Sequence, residues 1–227
     1  MALVIFDIDG TLVAGASTER RLFAGLLRGG WLRPPQLLAF LAFSLRHVTD
    51  YGRHTMKKNK AYLAGLNCAA VEQWTSTWVQ GAAPYWWYWP AVQRLRQHQA
   101  AGDRVVLMSG TPQFLAEAIA IVLAGNCDSQ KFREQLPHRV TGTRLAAADG
   151  IFLRHPPLVH PFGETKQQLA SAMCAELGIP LQDVYAYADS AYDLPLLRAV
   201  GHPVAVRPDK QLRQAASAAG WEILGKR

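Results

Sequence analysis

The chain predicts an α/β fold built on a largely parallel sheet that is interrupted early by a helical insertion. Short, nearly all-apolar runs at residues 3–6, 104–108, 184–188 and 203–206 read as strands covered on both faces, with helical patterns between them. Residues 15–88 hold no convincing strand, so they fall outside that alternation. Half of the 227 residues are hydrophobic and 18% are charged, a balance that excludes disorder and low complexity. A chain of this length buries a core without disulfide help.

The elements follow in order. Residues 3–6 form a first strand that ends at Asp7-Ile8-Asp9-Gly10-Thr11, a strand for the middle of a sheet. Helical stretches follow at 19–27, 36–47, 57–66 and 71–79, and the aromatic run from Tyr85 to Trp89, between Pro84 and Pro90, marks the return. Most aromatic runs between prolines pack on a core; the other use for this one is to grip an aromatic or lipid substrate. Thr111-Pro112 predicts an N-cap and first helical position, with the helix closing near Gly125-Asn126. Residues 139–154 alternate weakly around Asp149-Gly150, a hairpin turn signal. Leu169, Met173 and Leu177 share a face of a later helix, which Gly178 and Pro180 close.

Charge and cysteine usage narrow the setting. Lys and Arg number 24 against 17 Asp and Glu, a net charge of +7, yet no nucleic-acid module is recognisable. The charge therefore suits an anionic small substrate. Cys68, Cys127 and Cys174 are odd in number and show neither a disulfide nor a zinc spacing, and the seven histidines show no metal spacing. A reducing cytoplasm is the expected location. The opening residues do not read as a signal peptide, and the longest apolar run, 37–45, falls short of the roughly 20 residues that span a bilayer.

Four constellations could carry chemistry. Asp7 and Asp9 leave the first strand on the same side, at the end where parallel sheets bind ligands. Mg²⁺ between them would relieve their repulsion, leaving Asp7 to attack phosphorus and Asp9 to handle the proton; an Asp-Gly turn with a cap is the plainer reading. Ser109-Gly110-Thr111 ends a strand and opens a helix, which makes an anion site or an ordinary cap. Lys166 stands at the start of its helix, where a lone lysine is usually solvated. Asp189 ends a further strand, and Ser190 with Asp193 matches a capping box.

In this order, acids, hydroxyl with glycine, lysine and then acids, the sequence resembles the haloacid dehalogenase superfamily, subfamily IB, and within it the phosphoserine-phosphatase-like branch. The resemblance covers nearly the whole chain. It implies a Rossmann-like core of residues 1–14 and 89–227 with residues 15–88 inserted as an all-helical cap over the substrate. Asp7 would be the nucleophile that becomes an aspartyl phosphate, and Asp9 the acid and base. Asp7, Asp9 through its backbone carbonyl, and Asp189 would bind Mg²⁺. Ser109, Gly110 and Lys166 would hold the phosphoryl oxygens, with Thr11 and Asp193 in support.

Departures bear on the substrate. Ala16 stands where phosphoserine phosphatases carry a glutamate, with Glu19 three residues later, and Tyr192 replaces an asparagine. Arg53 and Lys57, in a basic cluster with His54, Lys58 and Lys60, would read an anionic group or form a solvated face. The expected activity is hydrolysis of a small phosphate monoester resembling phosphoserine or histidinol phosphate. One alternative is a lipid head-group phosphatase, phosphatidylglycerophosphate-like, whose helix 36–47 and aromatic run make peripheral membrane contact. The other is a receiver-like signalling module, which the second aspartate and the helical insertion oppose.

Overall fold

The structure is a computed structural model that describes residues 1–52, 55–125 and 137–226. Arg53, His54 and Cys127 lie outside the described residues. The first strand, β1 (Leu3–Phe6), consists of four apolar side chains with no exposed surface. After it come α1 (Thr18–Arg28), α2 (Pro34–Tyr51), α3 (Thr55–Lys58) and α4 (Cys68–Ala82). The return runs through α5 (Trp89–Ala100), β2 (Arg104–Pro112), α6 (Gln113–Ala124) and β3 (Arg139–Thr143). A short hairpin, β4 (Ala147–Ala148) and β5 (Ile151–Phe152), precedes α7 (Glu164–Leu177) and β6 (Val184–Ala188). The chain closes with α8 (Leu194–Ala199), β7 (His202–Val206), α9 (Lys210–Ala219) and β8 (Glu222–Leu224).

Six strands form one parallel sheet in the order β3-β2-β1-β6-β7-β8. The order turns back at β1, which pairs with β2 on one side and β6 on the other. A crevice at the carboxyl ends of these strands is the usual ligand site of such sheets. Side chains of β1 alternate between two apolar layers. Val4 and Phe6 pack with α4, α5 and α6, whereas Leu3 and Ile5 pack with α7, α8 and α9.

Residues 15–88 supply the helices α1 to α4. They leave and rejoin the sheet at one place, where Ala14 N–H donates to Trp86 O at 2.8 Å and Tyr88 N–H to Leu12 O at 2.8 Å. Leu22 and Leu26 of α1 and Val71 and Val79 of α4 belong to the same apolar cluster as Val4 and Phe6, so the inserted helices are welded to one face of the sheet. α2 stands further out, with Leu38, Leu41, Leu45 and Val48 all exposed.

Three local expectations change. β2 runs on through Pro112, and its pairing with β3 slips between Met108 and Pro112. Thr111 consequently does not cap α6, because its hydroxyl turns to the buried Asp9 carboxylate instead. Residues 139–143 join the main sheet as β3, and the hairpin is confined to β4 and β5. Its turn is Asp149-Gly150, both at positive φ, as a two-residue hairpin turn of the primed type requires. The aromatic run divides: Trp86 is buried against Trp78, whereas Tyr85 is 89% exposed and Trp87 bridges to Val13.

Candidate active site

Parallel pairing puts the ends of β1, β2 and β6 on one edge, and the four sequence constellations meet there. Asp7 N–H still donates to Tyr187 O at 3.0 Å, so the residue is fixed by the sheet. Beyond it, Ile8 O accepts from the N–H groups of Leu12 and Val13 at 3.0 and 2.9 Å, which curls the chain into a tight turn. Gly10 lies in this turn at φ +85°, and a Cβ there would come within 2.1 Å of Asp189 Oδ2. Conformation and the close approach of Asp189 both demand glycine.

Lys166, on the first turn of α7, is 2% exposed. Its Nζ donates to Asp7 Oδ1 at 2.8 Å and lies 3.0 Å from Asp193 Oδ1. Burial alone would lower its pKa, but Asp193 and Asp7 outweigh that and hold the ammonium charged. Asp193 therefore serves the lysine, while Ser190 alone makes the local cap by accepting from Tyr192 N–H. Burial drives the Asp7 carboxyl up to about 8; Lys166 opposes this, and Asp193 and Asp189 add to it.

Asp9 is held differently. Its Oδ1 accepts from Thr18 N–H at 2.6 Å and its Oδ2 from the Thr111 hydroxyl at 3.1 Å. Burial raises its pKa, and these bonds restrain the rise. Thr18 and Thr111, whose hydroxyls lie 3.0 Å apart, were not singled out for this task by any spacing. Ser109 and Gly110 line the pocket beside them. Thr11 is fully buried, and its hydroxyl has no partner among the described residues.

A second ring of groups surrounds these. The Thr143 hydroxyl donates to Gly110 O at 2.6 Å and lies 2.8 Å from His160 Nδ1. With the hydroxyl proton spent on Gly110, Nδ1–H must donate to Thr143, which leaves Nε2 unprotonated and buried. Burial, then Lys60, Lys58 and Lys57, bring the imidazole down to about 3. Across the pocket, Glu19 pairs with Lys60 and accepts from the Tyr62 hydroxyl at 3.1 Å. Lys57 lines the pocket, its Nζ 3.8 Å from the Tyr192 ring centre and 4.5 Å from that of Phe162.

These groups enclose about 170 Å³. Among the described residues, no three His, Cys, Asp or Glu side chains gather as a metal nest. Thr18 and Thr111 occupy the Asp9 carboxylate, which leaves Asp9 its backbone carbonyl for an ion. The groups at this edge that could hold a cation are the carboxylates of Asp7 and Asp189 and the Asp9 carbonyl. The set is all oxygen and suits a hard divalent ion. Burial is the main cause of the raised Asp7 pKa, and Lys166 does not fully offset burial and the neighbouring Asp193 and Asp189 together.

The family model described as haloacid dehalogenase-like hydrolase matches residues 4–198. A phosphoserine phosphatase of Mycobacterium tuberculosis (strain ATCC 25618 / H37Rv) is 34% identical, covering 98% of this chain and 70% of that one. A histidinol-phosphatase of Neisseria meningitidis serogroup C (strain 8013) is 31% identical over 57% of this chain and 55% of its own. Among solved structures, a protein of unknown function from Bordetella pertussis Tohama I superposes with a TM-score of 0.78 at 25% identity. That match covers 98% of this chain and 97% of the other.

Proposed function

Since the chain belongs to the haloacid dehalogenase-like hydrolase family and is a hydrolase of the phosphatase kind, we propose that it is a Mg²⁺-dependent phosphomonoesterase working through an aspartyl phosphate on Asp7. The observation that carries this is the buried Asp7–Lys166–Asp193 chain beside a separately held Asp9. Residues 15–88 act as the cap, and the hydrogen-bonded segments at 12–14 and 86–88 are its base.

Asp7 Oδ attacks phosphorus as the bond to the leaving oxygen breaks, and the Asp9 carboxyl gives that oxygen its proton. Asp9, now ionised, takes a proton from the water that attacks the aspartyl phosphate, which regenerates Asp7 and releases phosphate. Lys166, Ser109 and Gly110 hold the phosphoryl oxygens as charge spreads over them. Lys166 also keeps Asp7 in line, and Asp193 keeps Lys166 in place. Asp7, Asp189 and the Asp9 carbonyl would hold Mg²⁺, which would supply neutralisation of the phosphoryl charge.

The substrate is a small phosphorylated alcohol, for which phosphoserine and histidinol phosphate are the first candidates because relatives carry those names. Glu19 is a poor copy of an ammonium reader, since Lys60 and Tyr62 already claim its oxygens. Lys57, and Arg53 beyond the described residues, are the specificity candidates of the cap. The separate Cys68 and Cys174 thiols fit a cytoplasmic setting, and no described helix is long and apolar enough to cross a membrane.

The test is phosphate release from a panel of phosphomonoesters, with EDTA and with Mg²⁺ added back. Activity should vanish with EDTA and return with Mg²⁺, and Asp7→Asn should lower it by at least roughly 10³-fold with the fold intact. Normal turnover by folded D7N would end the aspartyl-phosphate reading.

A further inference from the structure

Beside the catalytic pocket lies a second, larger hollow of about 620 Å³, and the two share Ser17, Glu19 and Lys57 as common walls. Its floor is an aromatic group: the rings of Phe23 and Tyr62 stand 5.3 Å apart, Phe23 and Phe40 5.8 Å, and Phe40 and Tyr62 6.3 Å. Met56 forms its rim and is 59% exposed.

Most polar atoms that face this hollow are already committed. The Asn59 amide donates to Phe40 O at 2.7 Å and to Ser44 Oγ at 2.8 Å, while its oxygen accepts from Ala61 N–H at 3.0 Å. Tyr62 donates to Glu19, Glu19 is paired with Lys60, and Ser17 Oγ accepts from Arg20 N–H as the cap of α1. The remaining polar walls are the side chains of Arg20 and Lys57, the latter held over the Phe162 and Tyr192 rings. Along the aromatic floor a neutral polar guest would exchange its water for few partners, whereas an apolar guest forfeits nothing.

Resting on the phosphomonoesterase reading, we infer that the leaving group of the substrate carries an unbranched apolar tail, which passes Ser17, Glu19 and Lys57 and lies along Phe23, Phe40, Met56 and Tyr62. The substrate class is a monophosphate ester with its charge at one end and a chain of methylenes at the other. The outer side of α2 extends the same character, because exposed Leu38, Leu41, Leu45 and Val48 recur at spacings of three and four residues and so form one stripe.

The experiment is a series of n-alkyl phosphates from four to eight carbons, supplied below their micelle concentrations, with acetyl phosphate and p-nitrophenyl phosphate as tailless references. For the native chain, kcat/KM should rise about two- to fourfold per methylene, the gain expected for burying a CH₂ group. Met56→Gln, at an exposed position with little bearing on folding, and Phe40→Gln should each reduce that factor. The readout is the slope within each variant, which a uniform loss of activity does not change. Binding of n-alkyl phosphonates gives the same slope without turnover. Octyl phosphate supplied free and in phosphatidylcholine vesicles distinguishes a dissolved from a bilayer-borne substrate, and a tail effect in either presentation supports the groove. Flat slopes in rate and binding, while the tailless esters are hydrolysed, would overturn it. A binding slope with no hydrolysis of any ester would keep the groove and remove the phosphatase reading instead.

Discussion

At the level of single residues, two side chains outside the expected set control proton affairs in the pocket. Thr111 restrains the rise in the Asp9 pKa that burial causes. Thr111→Val removes one donor, so the Asp9 carboxyl should titrate at higher pH. The pH–rate limb that reports deprotonation of this acid should move upward, with kcat reduced by about tenfold at neutral pH. An unmoved limb would mean that the hydroxyl has no influence on the acid. His160 concerns stability. Its folded pKa, about 3, lies below the ordinary 6.5, so only the unfolded chain gains this proton as pH falls. Stability present above pH 6.5 is thus lost between about 6.5 and 3, at up to about 1.4 kcal/mol per pH unit. Urea unfolding from pH 7 to pH 4 should be less pH-dependent in His160→Gln than in the native chain.

At the level of elements, β1 is the strand on which both faces and both catalytic aspartates depend. Ile5 is fully buried among α7, α8 and their neighbours. Ile5→Ala should cost about 2–5 kcal/mol through lost burial and a cavity, read as a lower urea midpoint at unchanged slope. The strand was plain in the sequence because four apolar residues end in an acid. So were α7, whose C-terminal Gly178 adopts the left-handed conformation at φ 65°, and the Asp149-Gly150 turn. β3 was not legible, since an edge strand of five residues, Arg-Val-Thr-Gly-Thr, has little apolar character of its own and owes its conformation to β2. Thr111 misled for a related reason. Thr-Pro is a common helix start, and only the distant Asp9 carboxylate reveals where the hydroxyl goes.

Across the whole molecule, motif residues far apart in sequence were readable because parallel strands bring their carboxyl ends to one edge. Asp7, Ser109 and Asp189 meet for that reason, and Lys166 reaches them from the first turn of α7. Glu19, Lys60 and His160 complete the walls. Glu19 showed only as a displaced glutamate, Lys60 only as part of a basic cluster and His160 not at all, since their partners depend on how the inserted helices and the 144–163 stretch settle over the edge. The net charge of +7 adds a long-range effect. Raising ionic strength from about 20 to 200 mM shortens the screening length severalfold. kcat/KM for a dianionic ester should therefore fall by a fewfold while kcat stays nearly constant. A salt-independent kcat/KM would confine the charge to local contacts.

The central position of β1 also sets a timetable for synthesis. Leu3 pairs with Arg104 on one side and Val184 on the other, so the most apolar strand leaves the ribosome long before either neighbour exists. At about 5–20 residues per second, β6 follows roughly 10–40 s later. Until β2 emerges Leu3 to Phe6 have no strand to join, and until β6 does the other edge of β1 stays open to aggregation or to a chaperone. Asp189, which must stand against Gly10, arrives later still. Nascent chains stalled before residue 184 should therefore remain protease-sensitive through β1, and resistance should appear only once β6 has cleared the exit tunnel.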